Sequence, residues 1–280
     1  MKLLGIVITY YPDISDLIMN INKFIKNVDT LIIWQNTPLE DRENYQINLD
    51  FFDEKVLLMG DDKNMGIAYA LNQANAMMMD TSNNFSYLLI MDQDSTLVNF
   101  DDYYREVKRL PKNAIYSPII NNELQFLEES LVQVKTCITS GAILPVTVLK
   151  AIGQFNEDYS VDCVDYDFCF KATNKGMKIF KVTIAKMNQI YGEPTKSKYF
   201  NLENNIYSPN RLFFIARNHI LLWRDYPEHM DLLFKRIILS SRIFGKIVKI
   251  ILMEKNKSNK IYSILNGFYA GVMNNRNRKY

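Results

Sequence analysis

The stretch Tyr87-Leu88-Leu89-Ile90-Met91-Asp92-Gln93-Asp94-Ser95 runs from apolar residues directly into two carboxylates. An uninterrupted apolar run that ends in polar turn residues is typical of a strand buried on both faces. Such strands belong to parallel sheets that are covered by helices. Because ligands of these sheets bind beyond the carboxyl ends of the strands, Asp92 and Asp94 are predicted to lie at a ligand-binding edge.

Strands and helices alternate on both sides of this stretch. Further strands are predicted over 3–9, 30–34, 56–59, 115–120, 133–139, 142–145 and 178–184. Helical spacing of apolar residues predicts helices over 14–25, 67–78, 146–152 and 165–174. The predicted fold class is therefore α/β, with a mixed, mostly parallel sheet flanked by helices.

The sequence after Pro209 predicts helices only. They are expected over 211–223 and 231–253, with a weaker helix after Tyr262. Any domain boundary is expected near residues 200–208, because the strand–helix alternation has ended there. We therefore expect one domain over 1–205 and a C-terminal helical segment over 206–280.

Composition restricts the classes of protein to which the chain can belong. With 280 residues, of which 48% are hydrophobic and 23% charged, it is an ordered globular chain. A net charge of +2 gives no basic surface for nucleic acid, and no apolar stretch is long enough to span a membrane. Three cysteines without a CxxC pair and two histidines favour neither disulfides nor a zinc site, which predicts a reducing, cytoplasmic location.

Asp92 and Asp94 are predicted to share one short turn. Two carboxylates so close together stay ionised most easily when a hard divalent cation binds between them, and oxygen ligands favour Mg²⁺ or Mn²⁺ over zinc. A structural alternative is an Asx-type turn that caps the next helix.

The same residues also suggest a rival function. Asp92-Gln93-Asp94-Ser95-Thr96 matches the DxDxT pattern of haloacid-dehalogenase-like phosphatases, in which the first Asp is the nucleophile. That family has this strand near the start of its catalytic domain, whereas three strand–helix units precede it here. A phosphatase that uses Asp92 stays an alternative.

A second acidic segment, Asp162-Cys163-Val164-Asp165-Tyr166-Asp167, precedes a predicted helix. Asp165 would lie in the first helical turn, where the helix dipole favours a carboxylate, and Asp162 could cap the helix. Alternatively, Asp165 is a general base that takes a proton from an attacking hydroxyl. The residue types favour both interpretations equally.

The segment Asp62-Lys63-Asn64-Met65-Gly66 joins a predicted strand to a predicted helix. Its backbone N–H groups and the positive end of the helix could face an anion, with Gly66 permitting close approach. Ordinary loop chemistry favours the same residue types, so this segment supports an anion site only beside Thr9 and Asp92.

The order and spacing of these segments resemble the family-2 glycosyltransferases of the GT-A fold, in particular a bacterial rhamnosyltransferase-like branch. The resemblance covers about residues 3–225. It is carried by residues 7–12, 64–72, 88–95, 140–141, 152–157, 162–167 and 208–211 with 217–218. It implies a catalytic domain whose nucleotide-sugar half spans about 1–100 and whose acceptor half spans about 101–205.

The resemblance assigns roles to individual residues. It implies that the nucleotide of the donor is held by Thr9, Tyr11, Gln35, Asp62, Asn64, Gly66 and Asp92. It implies that Asp94, with Asp92, binds the divalent metal, and that Asp165 is the catalytic base of a single, inverting displacement. It places on the acceptor or donor-sugar side Ser140, Gly141, Asp162 and Arg211.

The sequence departs from the family pattern at two positions. Many relatives have a His three residues before a late Gly, and Gln189 stands there, before Gly192. Gln189 is therefore the expected third metal ligand, and its amide oxygen binds a cation weakly. This departure motivates the alternative of a catalytically weak glycan-assembly scaffold. Gln35 replaces a frequent Asp, so base and sugar preference do not carry over.

The resemblance also implies partners. The donor would be a dTDP- or UDP-linked sugar, with dTDP-rhamnose as the first expectation, and the acceptor a glycan or lipid-linked glycan in bacterial surface polysaccharide synthesis. Residues 231–253 alternate apolar residues with Lys and Arg. They are expected either to lie on the anionic inner face of the cell membrane or to pack on protein, including a second copy of the chain.

Overall fold

The computed structural model describes residues 2–48, 52, 54–121, 123, 129–159, 161–189, 193–196 and 203–276. Contacts between residues divide the chain into two compact units. The first comprises residues 1–157 and 164–190, and the second comprises 158–163 and 191–280. Residues 197–202, near the predicted boundary, lie outside the described residues, and the division at 205 stays a prediction.

The first unit is built on one nine-stranded sheet. Its strands are β1 (Lys2–Thr9), β2 (Thr30–Gln35), β3 (Val56–Met59), β4 (Phe85–Asp92), β5 (Ser95–Val98), β6 (Ala114–Ile120), β7 (Leu131–Val134), β8 (Ile143–Pro145) and β9 (Lys178–Gln189). The order is β3-β2-β1-β4-β8-β6-β9-β5, and β7 pairs with β9 beside this path. Strands β3, β2, β1 and β4 are parallel, whereas β8 runs antiparallel to β4.

Among the described residues, five helices flank this sheet. They are α1 (Ile14–Ile21), α2 (Ile67–Met79), α3 (Phe100–Arg109), α4 (Val146–Ile152) and α5 (Val164–Asn174). Asp13 caps α1 by accepting a 3.0 Å hydrogen bond from the Asp16 amide. Gly153 ends α4 with a φ of 73°, which favours glycine. The predicted α/β class, with a mixed sheet between helices, is confirmed.

Alternate side chains of the central strands point to opposite faces of the sheet. Leu3, Val7 and Leu89 belong to one core cluster together with residues of α1 and α3. On the other face, α2 contacts β1 and β4, and α4 contacts β4. Because both faces are covered, these strands carry apolar residues at nearly every position, as the sequence indicated.

The second unit is mainly helical. Strands β10 (Glu193–Lys196) and β11 (Glu203–Ile206) pair antiparallel. The helices are α6 (Pro209–Asp225), α7 (Leu232–Ile237), α8 (Gly245–Met253) and α9 (Lys257–Val272). Helix α9 lies directly against α6 at Gly267, where a Cβ atom would approach the Phe213 carbonyl oxygen to 2.2 Å. Among the described residues, no helix has the length and apolarity that crossing a membrane requires.

Five predicted elements were wrong in detail. The helix expected over 14–25 ends at Ile21, and the strand expected over 178–184 continues to Gln189. The strand expected over 133–139 is found over Leu131–Val134, and Thr139 beyond it donates to Asp165 of α5. The continuous helix expected over 231–253 is interrupted by a π-helical segment, Ile238–Phe244. The last helix begins at Lys257, before Tyr262. Strands β5, β10 and β11 and helix α3 were not predicted.

Candidate active site

The acidic turn follows β4 at the centre of the sheet. Asp92 ends the strand and is partly buried, and Asp94 is exposed in the turn that leads to β5. The side chain of Gln93 ties this turn to the end of β1: its Oε1 accepts from the Tyr10 amide at 2.6 Å, and its Nε2 donates to the Tyr10 carbonyl at 3.1 Å. The two carboxylates are therefore presented beside the end of β1, as predicted from parallel pairing.

Tyr11 presents an aromatic side chain just past β1. Its amide donates to Thr37 Oγ1 at 2.8 Å, and its hydroxyl donates to Asp41 Oδ2 at 2.5 Å. The hydrogen bond to the Asp41 carboxylate raises the pKa of Tyr11 to about 12, because that carboxylate disfavours a phenolate. The Tyr11 ring packs edge-on against the Tyr45 ring, with 5.3 Å between the two ring centroids. The phenol is thus held in one orientation, partly exposed.

Thr9 lies beneath this surface. Its side chain is fully buried, and its hydroxyl donates to the Trp34 carbonyl at 3.1 Å. The direct contact with a base that the sequence suggested is therefore not available to the Thr9 side chain, which instead joins β1 to β2. Gln35, at the end of β2, is partly exposed.

Arg42 organises the loops that follow β2 and β3. Its guanidinium donates to the carbonyls of Thr37 at 2.8 Å and Gln35 at 3.1 Å, and also to the carbonyl of Asp61. These loops sit close together: a Cβ atom at Gly60 would lie 2.5 Å from the Gln35 carbonyl oxygen. The sequence analysis missed Arg42, because nothing in its local pattern indicates which carbonyls it would reach.

The loop before α2 is shaped by its own side chains. Asn64 Oδ1 accepts from the Gly66 amide at 2.9 Å, and Gly66 has a φ of 88° that L-amino acids with side chains rarely adopt. Asp62 is exposed, and its carbonyl accepts from the Leu39 amide at 2.8 Å. A hydrogen bond to the Asp61 carboxylate raises the pKa of Tyr69. The strand-to-helix loop was predicted, and its Asx turn explains the choice of Asn64.

Asp165 lies in the first turn of α5 and is partly exposed. Its Oδ1 accepts two hydrogen bonds from Thr139, from the amide at 2.8 Å and from the hydroxyl at 2.7 Å. Hydrogen bonds to a carboxylate favour its charged form and fix its orientation. One oxygen of Asp165 is therefore held by a buried threonine.

The next residue along the chain binds the acidic turn. Ser140 Oγ accepts from the Asp92 amide at 3.0 Å and lies 2.9 Å from Ser95 Oγ. Since adjacent Cα atoms are ~3.8 Å apart, the Thr139–Ser140 dipeptide brings Asp165 and Asp92 to one place in the first unit. Ser140 is buried and supports the acidic turn from below. The sequence had placed it on the acceptor or donor-sugar side, which stays a prediction.

Gly141, like Ser140, helps to hold the acidic turn in place. It has a φ of 77°, and its amide donates to the Ile90 carbonyl at 2.7 Å. A Cβ atom there would lie 2.6 Å from Pro118 Cγ and 2.8 Å from Met187 Sδ. The glycine lets the segment pass close to β6 and β9. Like Ser140 it is buried, so its part in the acceptor or donor-sugar side would be to shape the backbone there.

Gln189 reaches the acidic turn from β9. It lies opposite Ser95 in the antiparallel register, and its Nε2 donates to Asp92 Oδ2 at 3.0 Å. Asn121 holds the Gln189 backbone on both sides, at 2.9 and 3.0 Å. Within the described part of the chain, Gln189 Oε1 is buried and has no hydrogen-bond partner.

These groups fit a hard divalent cation. Asp92, Asp94 and the unpartnered amide oxygen of Gln189 are all oxygen donors, which Mn²⁺ and Mg²⁺ prefer. The described residues contain no cluster of three or more His, Cys, Asp and Glu side chains arranged for a metal. A cation at this turn would therefore take further ligands from a diphosphate or from water.

Comparisons with known proteins identify what this chain is similar to. No protein-family model matches the chain. The dTDP-rhamnosyl transferase RfbF of Shigella flexneri is 24% identical over 278 residues, which cover 90% of this chain and 89% of that protein. The solved structure of GalNAc-T7 with UDP, GalNAc and Mn²⁺ has the same fold, with a TM-score of 0.61 at 10% identity. This chain is a glycosyltransferase of the GT-A fold.

This glycosyltransferase matches only part of the length of each of the two solved structures. The match with GalNAc-T7 includes 98% of this chain and 57% of the other. Staphylococcus aureus TarS matches 91% of this chain and 44% of its own, at 14% identity and a TM-score of 0.46, too low to support an argument. The phosphatase alternative loses its support, because the chain has the GT-A fold and a curated relative that is named as a transferase.

Two predicted site residues of the glycosyltransferase lie in its second unit. Asp162 and Arg211 form an ion pair, with Asp162 Oδ2 and Arg211 Nε 3.5 Å apart. The Arg211 guanidinium also lies over the Tyr207 ring, 4.7 Å from its centroid. Asp162 has a φ of 56°, and its carboxylate pairs with this arginine of α6. The sequence did not indicate that these two residues would meet.

Proposed function

We propose that this glycosyltransferase moves a sugar from a nucleoside diphosphate to a hydroxyl of a glycan or lipid-linked glycan, with inversion at the anomeric carbon. The first candidate donor is dTDP-rhamnose, because the relative that matches 90% of the chain is named a dTDP-rhamnosyl transferase. The observation that carries the proposal is the Thr139–Ser140 dipeptide, which binds Asp165 on one side and the Asp92 turn on the other.

In the proposed reaction Asp165 takes the proton of the acceptor hydroxyl. Thr139 fixes the orientation of this carboxylate through two hydrogen bonds to Oδ1, which suits a group that must accept a proton in one direction. The acceptor oxygen then forms a bond to the anomeric carbon while the bond from that carbon to the diphosphate oxygen breaks. Attack from the face opposite the leaving group inverts the configuration.

The nucleotide would bind across the ends of β1, β2 and β3. The exposed ring of Tyr11 supports stacking with a base, and Arg42 and Thr37 keep the neighbouring loops in place. Asp62 and Gln35 are the side chains with exposed surface that could select the base. Thr9 and Gly66 would act through the backbone shape that they permit.

We further propose a divalent cation, Mn²⁺ or Mg²⁺, held by Asp94, Asp92 and Gln189. A cation bound there would offset the negative charge that develops on the leaving diphosphate. The neighbour GalNAc-T7 was solved with Mn²⁺ and UDP, which supports this choice for a GT-A fold. The unpartnered oxygen of Gln189 is the structural observation in its favour.

The C-terminal helices support a location at the inner face of the cell membrane, where a lipid-linked acceptor in surface polysaccharide synthesis would be found. Every charged residue between 232 and 253 is Lys or Arg. Leu233, Phe244 and Val248 expose 66%, 60% and 52% of their surface in this segment. Exposed apolar side chains combined with positive charge are typical of helices that lie on anionic membranes.

Asp165→Asn tests the proposed chemistry. With dTDP-rhamnose and an acceptor glycan, we expect kcat to fall at least about 10²-fold, because a general base contributes at least this factor, while the donor dissociation constant stays unchanged. Asp102→Asn is the matched control, since Asp102 lies in the first turn of α3, ion-paired to Arg105. Full activity of Asp165→Asn would refute the proposed base.

The hydrogen bond from Gln189 to Asp92 favours one second candidate, a glycan-assembly scaffold that binds donor without turnover. Calorimetric titration of nucleotide sugars with and without Mn²⁺, beside the transfer assay, separates the two. Metal-dependent binding without product, in the presence of several acceptors, would support the scaffold.

A further inference from the structure

The second unit contains a small cavity of about 120 Å³ between β11, α6, the π-helical segment and α8. The lining residues that matter here are Asn205, Tyr207, Arg242, Lys246 and Lys249. Of the described residues that line it, none is acidic. Three cationic side chains therefore face one small volume, and the residues of the proposed transfer site in the first unit take no part in it.

The three cations are placed together by the helix that carries them. Arg242, Lys246 and Lys249 follow one another at spacings of four and three residues, which puts them on the same face. Arg242 belongs to the π-helical segment, and the two lysines belong to α8. Like charges at this spacing destabilise a helix, so the arrangement favours a compensating anion.

The innermost cation is held rigidly. Lys246 Nζ donates to Asn204 Oδ1 at 2.8 Å, to the Asn205 carbonyl at 2.6 Å and to Glu254 Oε1 at 2.8 Å. These three bonds use all donors of the ammonium group, so Lys246 would attract a ligand through its charge alone. Burial lowers the pKa of Lys246, and the nearby positive charges of Lys260 and Lys249 add to this effect.

The carboxylate of Glu254, which accepts a hydrogen bond from Lys246, does not neutralise the positive charges at the cavity. Glu254 is buried and also accepts a 2.5 Å hydrogen bond from Lys260. One carboxylate thus serves two buried ammonium groups, Lys246 and Lys260, while at the cavity Arg242 is exposed and Lys249 half-buried. An excess of positive charge in a partly buried place is costly unless an anion enters.

We propose that this cavity is a binding site for a phosphate group. The Arg242 guanidinium and the Lys249 ammonium would bind its oxygens, with the Tyr207 hydroxyl and the Asn205 amide as neutral donors. The volume is smaller than the ~300 Å³ that small-molecule sites usually exceed, which favours a small anion such as a phosphate group over a whole nucleotide. The phosphate can come from a soluble phosphate compound or from a lipid headgroup.

The cavity is separate from the exposed apolar surface of the same helix. Val248 follows Lys246 by two residues, which corresponds to a rotation of roughly 200° about an α-helix. A flat membrane that contacts Val248 would therefore not reach the cavity directly. This geometry makes the source of the phosphate a question for experiment.

The test uses the full chain and inorganic phosphate, titrated calorimetrically at constant ionic strength. Arg242→Gln and Lys249→Gln should each weaken phosphate binding at least about tenfold, because each removes a charge-assisted hydrogen bond. Lys255→Gln removes the same charge from an exposed residue outside the cavity and should leave the affinity unchanged within about twofold. Thermal unfolding of each variant verifies that it folds. If Arg242→Gln does not fold, Lys249→Gln is used in its place.

A second arm replaces phosphate with phosphatidylcholine vesicles with and without phosphatidic acid, measured by co-sedimentation. Arg242-dependent binding of free phosphate supports a soluble source, and Arg242-dependent binding to phosphatidic acid alone supports a headgroup. Absence of Arg242-dependent binding in both arms would overturn the proposal. Equal losses in Arg242→Gln and Lys255→Gln would do the same, because they would indicate general charge attraction only.

Discussion

Gln189 donates a hydrogen bond to the Asp92 carboxylate over 3.0 Å, although 97 residues separate the two along the chain. The amide therefore occupies the Asp92 carboxylate while its own Oε1 stays without a partner among the described residues. We expect Gln189→His to lower the Mn²⁺ concentration for half-maximal transfer roughly tenfold, because imidazole binds transition metals better than an amide does.

Metal-dependent activity over a range of Mn²⁺ concentrations measures this effect. Asn188→His is the control, since Asn188 is exposed on β9 and alternate strand residues face opposite sides. An identical Mn²⁺ dependence in both variants would show that Gln189 does not contact the metal.

Thr139 is predicted to position Asp165. Thr139→Val removes one hydrogen bond to the carboxylate at nearly constant volume, and a bond to a charged group is worth about 1.5–3 kcal/mol. We expect kcat to fall by roughly tenfold or more, with the donor dissociation constant unchanged. Thr139→Ser keeps the hydroxyl and should restore most of the rate. A kcat of Thr139→Val equal to that of the parent would remove Thr139 from the mechanism.

The phenol of Tyr11 should ionise late. Its pKa is raised to about 12 by the hydrogen bond to Asp41, so Tyr11 should stay protonated well above the ordinary phenol pKa of ~10. Asp41→Asn removes the negative charge and should lower this pKa toward the ordinary value. The measurement is phenolate absorbance against pH, with a Tyr11→Phe variant subtracted to isolate this residue. A Tyr11 transition that Asp41→Asn does not move would contradict the contact.

Gly141 and Gly153 allow a matched test of packing against backbone strain. Both have a positive φ, 77° and 73°, but only at Gly141 would a Cβ atom meet neighbours within 4 Å. Gly153→Ala should cost about 1–3 kcal/mol from the backbone conformation alone, since φ 73° with ψ −137° is a region that residues with a side chain rarely adopt. Gly141→Ala should cost about 1–3 kcal/mol more, because Pro118 and Met187 must move. Urea unfolding of both variants measures the difference, and equal losses would disprove the steric account.

Local patterns in the sequence were sufficient for much of the fold. The apolar runs over β1, β2 and β4 predicted buried strands, because a strand covered on both faces carries apolar residues at successive positions. The same patterns could not show that β5 pairs with β9, since β5 is only four residues long. Nor could they show the π-helical interruption at 238–244, where the apolar spacing still resembles that of an α-helix.

The candidate site likewise contains residues whose roles the sequence indicated and residues whose roles it did not. The acidic turn was recognisable because its two carboxylates follow one strand. The supporting roles of Thr9, Ser140 and Gly141 were not, because they depend on full burial and on neighbours far along the chain. The sequence suggested that these residues touch substrate, whereas their side chains or backbone stabilise the surface from below.

The sequence by itself therefore determined the sheet-forming runs, the carboxylates at the end of β4 and the acidic first turn of α5. Each of these depends on neighbours within about a dozen residues, a range in which periodicity and helix-end chemistry act. Only the tertiary structure decided that Thr139 binds Asp165 while Ser140 binds the Asp92 amide, and that Gln189 reaches Asp92. Those contacts follow from the order of strands in the sheet, which is selected by the packing of the whole unit.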